Sequence, residues 1–163
     1  MAYSSIAVAN HFIKKSFESG TRLTPMQLVK LVYIAHGWYL ARTGEPLLSD
    51  AVEAWKYGPV IPKLYHQFKQ YRDSPITSMA MVMGEGQFFA PEITDPSVAA
   101  FLDSVWDVYK NFDGIQLSTL THQDGTPWFQ VWRDQKGFET RGAVIPNQLI
   151  KNHYEQLARE RAA

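Results

Sequence analysis

TPMQLVKLVYIAHGWYLARTGEPLLSDAVEAWKYGPVIP, residues 24–62, is the stretch whose reading decides the fold. Thr24 stands where an N-cap hydroxyl accepts an amide left unpaired in a first helical turn. Gln27, three residues on, can reach back to the Thr24 amide and complete a capping box. Pro25 occupies the first helical position, where a missing N–H costs nothing, and Leu23 and Leu28 take the two places of a hydrophobic staple. Leu28, Leu31, Val32, Ala35 and Tyr39 then recur on one face of a 3.6-residue period. Val29, Tyr33 and Trp38 are apolar off that stripe, which predicts a central helix packed on several sides. Gly44 and Pro46 stop it. From 51 to 57, Glu53, Trp55 and Tyr57 alternate with Val52, Ala54 and Lys56, the pattern of a short strand, and residues 57–62, YGPVIP, read as a rigid corner.

The chain of 163 residues is 45% hydrophobic and 13% aromatic, enough for a real core in a single domain over 1–163. Sixteen basic residues balance sixteen acidic ones, which argues against a dedicated nucleic-acid binder while leaving room for a local patch. With no cysteine, disulfides, thiolate metal sites and thiol chemistry all drop out. The N-terminal residues lack the basic start and long apolar core of a signal peptide, and no run approaches the roughly 18 apolar residues that span a bilayer. A soluble cytoplasmic protein is expected.

Outward from the central stretch, Ser4 or Ser5 caps a first helix with Ile6, Ala9, Ile13 and Phe17 on its buried face, and Gly20 ends it. Asn10 and His11 read as polar residues at the rim of that face. A helix starting near Pro62 carries Leu64, Tyr65, Phe68 and Tyr71. Residues 76–91 predict a small hairpin around Gly84-Glu85-Gly86, with Met79, Met81 and Met83 alternating as core filling first and as an adaptable contact surface second. Asp95-Pro96 starts a helix with a full apolar stripe, Val98 to Phe112, closed by Gly114. A short helix follows over 117–122, Thr126-Pro127 opens another with Trp128, Phe129 and Trp132, and 137–142 is loop. Ile145-Pro146 starts a terminal helix with Leu149, Ile150, His153, Tyr154 and Leu157 inward. The fold class is mainly α, about six to seven helices with a small β element.

The five histidines form no HExxH pair, and none lies three or four residues from another, so no metal site is assigned and no cofactor is implied. No phosphate-binding glycine loop and no GxSxG elbow occur. Ser118, His122 and Asp124 are the right types for an activated nucleophile, but Ser118 reads more simply as a helix cap and 122–125 as a capped helix end and turn. No catalytic residue is assigned. Glu53 and Lys56 around Trp55 read as a solvated strand edge before a binding spot. Trp55 and Tyr57 read as core before interface, although both types anchor partners at binding hot spots.

Several of these stretches resemble the Panacea domain family, also described as SocA-like or GepA-like. The matching residues are Leu23-Thr24-Pro25-Met26, Lys30-Leu31, Ala35-His36-Gly37-Trp38-Tyr39 and, most specifically, Glu53-Ala54-Trp55-Lys56-Tyr57-Gly58-Pro59-Val60. The run 117–122 followed by Pro127-Trp128 is similar to the family's second motif, and 145–157 to its closing helix. The resemblance implies a bacterial or phage-associated antitoxin that neutralises a toxin, often encoded beside it, by direct protein binding. The alternative it implies is a proteolytic adaptor, with a ClpXP-type protease unfoldase as second partner. The candidate partner-binding residues are Trp55, Lys56, Tyr57, Met81 and Trp128. An enzyme centred on Ser118, His122 and Asp124, or a DNA-binding regulator, are the readings from other classes.

Overall fold

The computed structural model describes residues 2–162. α1 (Ser5–Ser19) opens with the Ser4 hydroxyl accepting from the Ala7 amide at 3.2 Å. α2 (Pro25–Thr43) carries the full capping box: the Gln27 amide donates to Thr24 Oγ1 at 3.3 Å, and the Thr24 amide donates to Gln27 Oε1 at 2.8 Å. β1 (Glu53–Trp55) and β2 (Gly58–Val60) form a hairpin, followed by α3 (Pro62–Phe68). A second hairpin, β3 (Val82–Gly84) and β4 (Gln87–Phe89), precedes α4 (Pro96–Tyr109) and α5 (Gly114–His122). α6 (Pro127–Phe129) runs into a π-helical turn, Gln130–Asp134, and β5 (Ala143–Val144) leads to α7 (Asn147–Ala162). The mainly α architecture with a small β element is the one the sequence patterns predict.

α2 is the centre. It packs against α1, α5 and α7 and reaches α3, α4 and β2. Ten consecutive residues, Leu28 to Gly37, are buried, so the helix has no solvent face over almost three turns. Gly37 lies under the ring of Tyr154 on α7, and a Cβ there would run into that ring. His36 is buried between the two helices: its Nδ1 accepts from the Leu48 amide at 3.3 Å, which leaves Nε2 to donate to Asn147 Oδ1 at 3.0 Å.

Several expectations are corrected. The corner over 57–62 contains β2, which pairs antiparallel with β1 as the edge of a three-stranded sheet ordered β2-β1-β5. Pro59 is tolerated because an edge strand leaves one side of its backbone unpaired. β5, between the stretch read as loop and the predicted start of the terminal helix, pairs Val144 with Glu53. Gly114 does not close α4; it is the first residue of α5, whose capping box is built by Asp113 and Gln116. Ser118 therefore lies inside α5 and caps nothing. Phe17 is exposed rather than buried, as are Met81 and Met83, so core filling does not explain those two methionines.

Asn10 is the largest departure. It is 0% exposed, not at a rim. Its Nδ2 donates to the carbonyls of Ala80 at 3.0 Å and Pro91 at 3.1 Å, and its Oδ1 accepts from the Ala80 amide at 2.8 Å. One side chain thus ties both ends of the β3–β4 excursion to α1. The excursion itself turns through Glu85 and Gly86, both at positive φ, the geometry of a tight hairpin turn.

Replacing Asn10 strands several buried backbone groups, so Asn10→Ala should lower the unfolding free energy by about 2–4 kcal/mol. Hydrogen exchange should rise across 80–91 before it rises in α2. Burial lowers the His36 pKa below the ordinary 6.5, opposed in part by the Asn147 bond. The stability carried by the neutral ring is complete above pH 6.5 and is lost as pH falls through the lowered native value, because the unfolded chain binds the proton first. His36→Gln should give a shallower acid-side fall in denaturant midpoint than the native chain.

Candidate functional site

The β1–β2 hairpin, α2, α3 and the middle of α5 border a groove of about 470 Å³. Its geometry begins at Gly58. The backbone there has φ +124°, open to glycine, and a Cβ would sit 2.9 Å from the Lys30 amine. The turn can therefore press down on α2. Lys30 Nζ donates to the Pro59 carbonyl at 2.7 Å, which pins β2 to the central helix.

Trp55 forms one wall. Its indole N–H donates to Glu53 Oε1 at 2.9 Å, and its ring meets Tyr65 edge-on at 5.0 Å. Its carbonyl accepts from the Trp128 indole at 2.6 Å. Trp128 is itself buried, stacked on Trp132 at 5.8 Å and edge-on to His122 at 5.7 Å. Tyr57 is 73% exposed at the lip, with the Lys56 amine 5.3 Å from its ring centre. Met26, Val29 and Val60 complete the apolar lining, and Lys69, Arg72 and Ser118 close the perimeter.

Lys30 is 5% exposed. Among the described residues no carboxylate comes within ion-pair distance of it, nor of Lys56, Lys69 or Arg72. Burial alone lowers its pKa from 10.5 to about 8. A fall of that size corresponds to roughly 3 kcal/mol of destabilisation while the amine stays charged.

The groove thus unites three candidates, Trp55, Lys56 and Tyr57. The reading of Trp55 and Tyr57 as core does not hold: Tyr57 is a surface side chain, and Trp55 is only half-buried. Trp128 lies beneath the groove as a brace. Met81, 49% exposed, belongs to the segment leading into β3, outside the groove. Lys30, Tyr65, Lys69 and Arg72 were missed as candidates; the one available signal was a lysine in the middle of the apolar run LVKLVYIA. Ser118 Oγ lies 3.2 Å from His122 Nδ1, but its hydroxyl also faces the Tyr57 carbonyl at 3.4 Å, and Asp124 makes no hydrogen bond to His122. Among the described residues the pair has no orienting carboxylate. A second depression, of about 300 Å³ beside α1, mixes both charges, and its His11 is tied to Asp103 at 2.7 Å.

The family model described as "Antitoxin SocA-like, Panacea domain" matches residues 28–129, which contain most of α2, both hairpins, α4, α5 and every groove residue but Pro25 and Met26. The chain is 29% identical over 151 residues to "Antitoxin SocA" of Caulobacter vibrioides (strain NA1000 / CB15N), covering 91% of this chain and 80% of that protein. No solved structure matches it.

Lys30→Met keeps the stem of the side chain and removes the uncompensated charge. Its unfolding free energy at pH 7 should equal that of the native chain or exceed it by about 1–3 kcal/mol. The difference should narrow as pH rises through about 8 toward 10.5, where the native lysine loses its charge. Urea titrations at the two extremes check this.

Proposed function

This chain belongs to the SocA-like Panacea domain family, and from that premise we propose that it is an antitoxin that neutralises a cognate toxin protein by direct binding. The match over 28–129 carries the reading, and the relative named Antitoxin SocA supports it. The groove is where we place the contact. Tyr57 and Met26 stand exposed at its lip, with Ile115 exposed on the same face of α5 as Ser118. Tyrosine and methionine are enriched at the centre of protein interfaces. The hairpin is braced from below by Trp128 and Lys30, so little ordering is needed on binding.

The reading takes the protein to be a binder and not an enzyme. The Ser118–His122 pair then serves as a local strut for the Tyr57 backbone. Delivery of the toxin to a protease unfoldase is the second reading. The β3–β4 excursion favours it, because Met81, Met83, Phe88 and Phe89 give the chain a further exposed apolar surface for a second partner.

The test is co-expression with the neighbouring gene. Direct neutralisation predicts growth arrest by that gene alone, relief by this protein, and a stoichiometric complex on purification. Tyr57→Ala should keep the native melting temperature and weaken the complex about tenfold or more. Relief accompanied by disappearance of the toxin would favour the adaptor. Absence of both toxicity and partner would remove the antitoxin reading.

A further inference from the structure

The groove holds a cation without its counter-ion. Lys30 has three N–H donors, and the Pro59 carbonyl takes one. An aliphatic side chain of similar length would fill the same space without the desolvation cost. The lining carries Lys30, Lys56, Lys69 and Arg72 and no acidic residue, although the chain as a whole has no net charge. Glu53, the carboxylate beside Trp55, accepts from the indole and is not part of the lining. Arg72 is held at the perimeter by a backbone with φ +56°, a conformation that L side chains rarely adopt. Between the charges, Met26, Val29, Trp55 and Tyr65 form apolar walls.

We propose that this groove is a recognition site for an acidic–apolar peptide segment of the toxin. One side-chain carboxylate of that segment pairs with the Lys30 amine at the floor. Neighbouring carboxylates pair with Lys56, Lys69 and Arg72 at the rim, and an adjacent apolar side chain packs between Met26 and Trp55. The proposal rests on the antitoxin reading for the identity of the partner, but the chemistry of the pocket stands on its own geometry. The buried amine supplies one charge-assisted hydrogen bond in a water-poor setting, where truncating either partner is felt most. The rim cations act at longer range and add a salt-dependent attraction. A nucleic-acid strand fits less well: the floor offers one buried charge rather than a row along a backbone, and Trp55 is already packed edge-on against Tyr65 instead of presenting an open stacking face.

The probes are the full chain and three ligands: an acetylated, amidated peptide alternating Glu with Leu and Phe, the same peptide with Gln for Glu, and a single-stranded oligonucleotide. Titration calorimetry should show the acidic peptide binding and the Gln peptide about thirtyfold weaker. Lys30→Met should lose the acidic peptide to a similar degree. Lys56→Glu with Arg72→Glu, both exposed and without a side-chain hydrogen bond or ion pair among the described residues, should weaken it and flatten its salt dependence, which keeps the test valid should the Lys30 variant misfold. Equal binding of the acidic and Gln peptides, equal binding by both variants, no binding at millimolar peptide, or binding of the oligonucleotide in place of the peptide would each overturn the proposal. The titration needs no toxin. A failed growth rescue beside successful peptide binding would sink the antitoxin reading alone; a working toxin complex beside failed peptide binding would sink the pocket alone.

Discussion

A helix without a solvent face leaves only internal partners to the polar side chains it carries, and α2 is such a helix from Leu28 to Gly37. Its polar side chains there are Lys30, Tyr33 and His36, and their spacing spreads them around the axis. Lys30 bonds to β2. His36 bonds to the loop at Leu48 and to Asn147 at the start of α7. Tyr33 buries its hydroxyl with no hydrogen-bond partner among the described residues, and burial raises its pKa well above the usual phenol value. The bonds of Lys30 and His36 do more than satisfy polar groups. They attach the hairpin, the loop at Leu48 and the start of α7 to the central helix, so the position of the hairpin and of α7 follows from the composition of α2. Gly37 adds the matching steric condition, because only a missing side chain leaves room for the Tyr154 ring against the helix.

Much of this was legible, and the legible part shares one property: it is local. The capping box at Thr24 and Gln27, the proline at the first helical position, the Asp95-Pro96 start and the tight turn at Glu85-Gly86 are settled by residues within four positions of each other. What escaped is set by partners far away in sequence. β5 has two residues and exists only because Glu53 and Ala54 lie beside it. Asn10 looks like a rim residue until Ala80 and Pro91, some seventy to eighty positions later, bring their backbones to it. Capping was misassigned at Ser118 for a related reason. Asp113 offered the better cap one turn earlier, and Gly114 was read as the end of the preceding helix when it is the beginning of the next.

The groove shows the same division. Trp55, Lys56 and Tyr57 were visible as an aromatic–basic run, and they do share one surface. Which of them is core could not be read from alternation, since β1 has only three residues and its two faces are both partly covered. Trp128 was chosen for its type, yet its place beneath the hairpin makes it a support whose indole holds the Trp55 carbonyl. Lys30 was hidden by the opposite logic. A lysine within an apolar period is usually one that snorkels its amine to water along an apolar stem. Here Gly58 lies against the amine and the Pro59 carbonyl holds it at the floor of the groove.

That placement has an energetic meaning. Protein folds rarely keep a buried cation facing a carbonyl alone, because a carbonyl dipole offsets only part of the lost hydration. The chain has sixteen carboxylates from which a partner for Lys30 could have been drawn, and the groove lining contains none of them. The cost is also concentrated: it falls on the one central helix, at the residue that positions the hairpin, and not on a peripheral loop where it could relax. A site that is strained in the free protein and relieved by an incoming anion discriminates strongly, because a neutral ligand of the same shape leaves the strain in place. On this view the neutral overall charge and the basic groove are not in conflict. The balance of the whole chain keeps non-specific attraction to polyanions low, while the local excess at Lys30, Lys56, Lys69 and Arg72 reserves the pull for a ligand that fits between Met26 and Trp55.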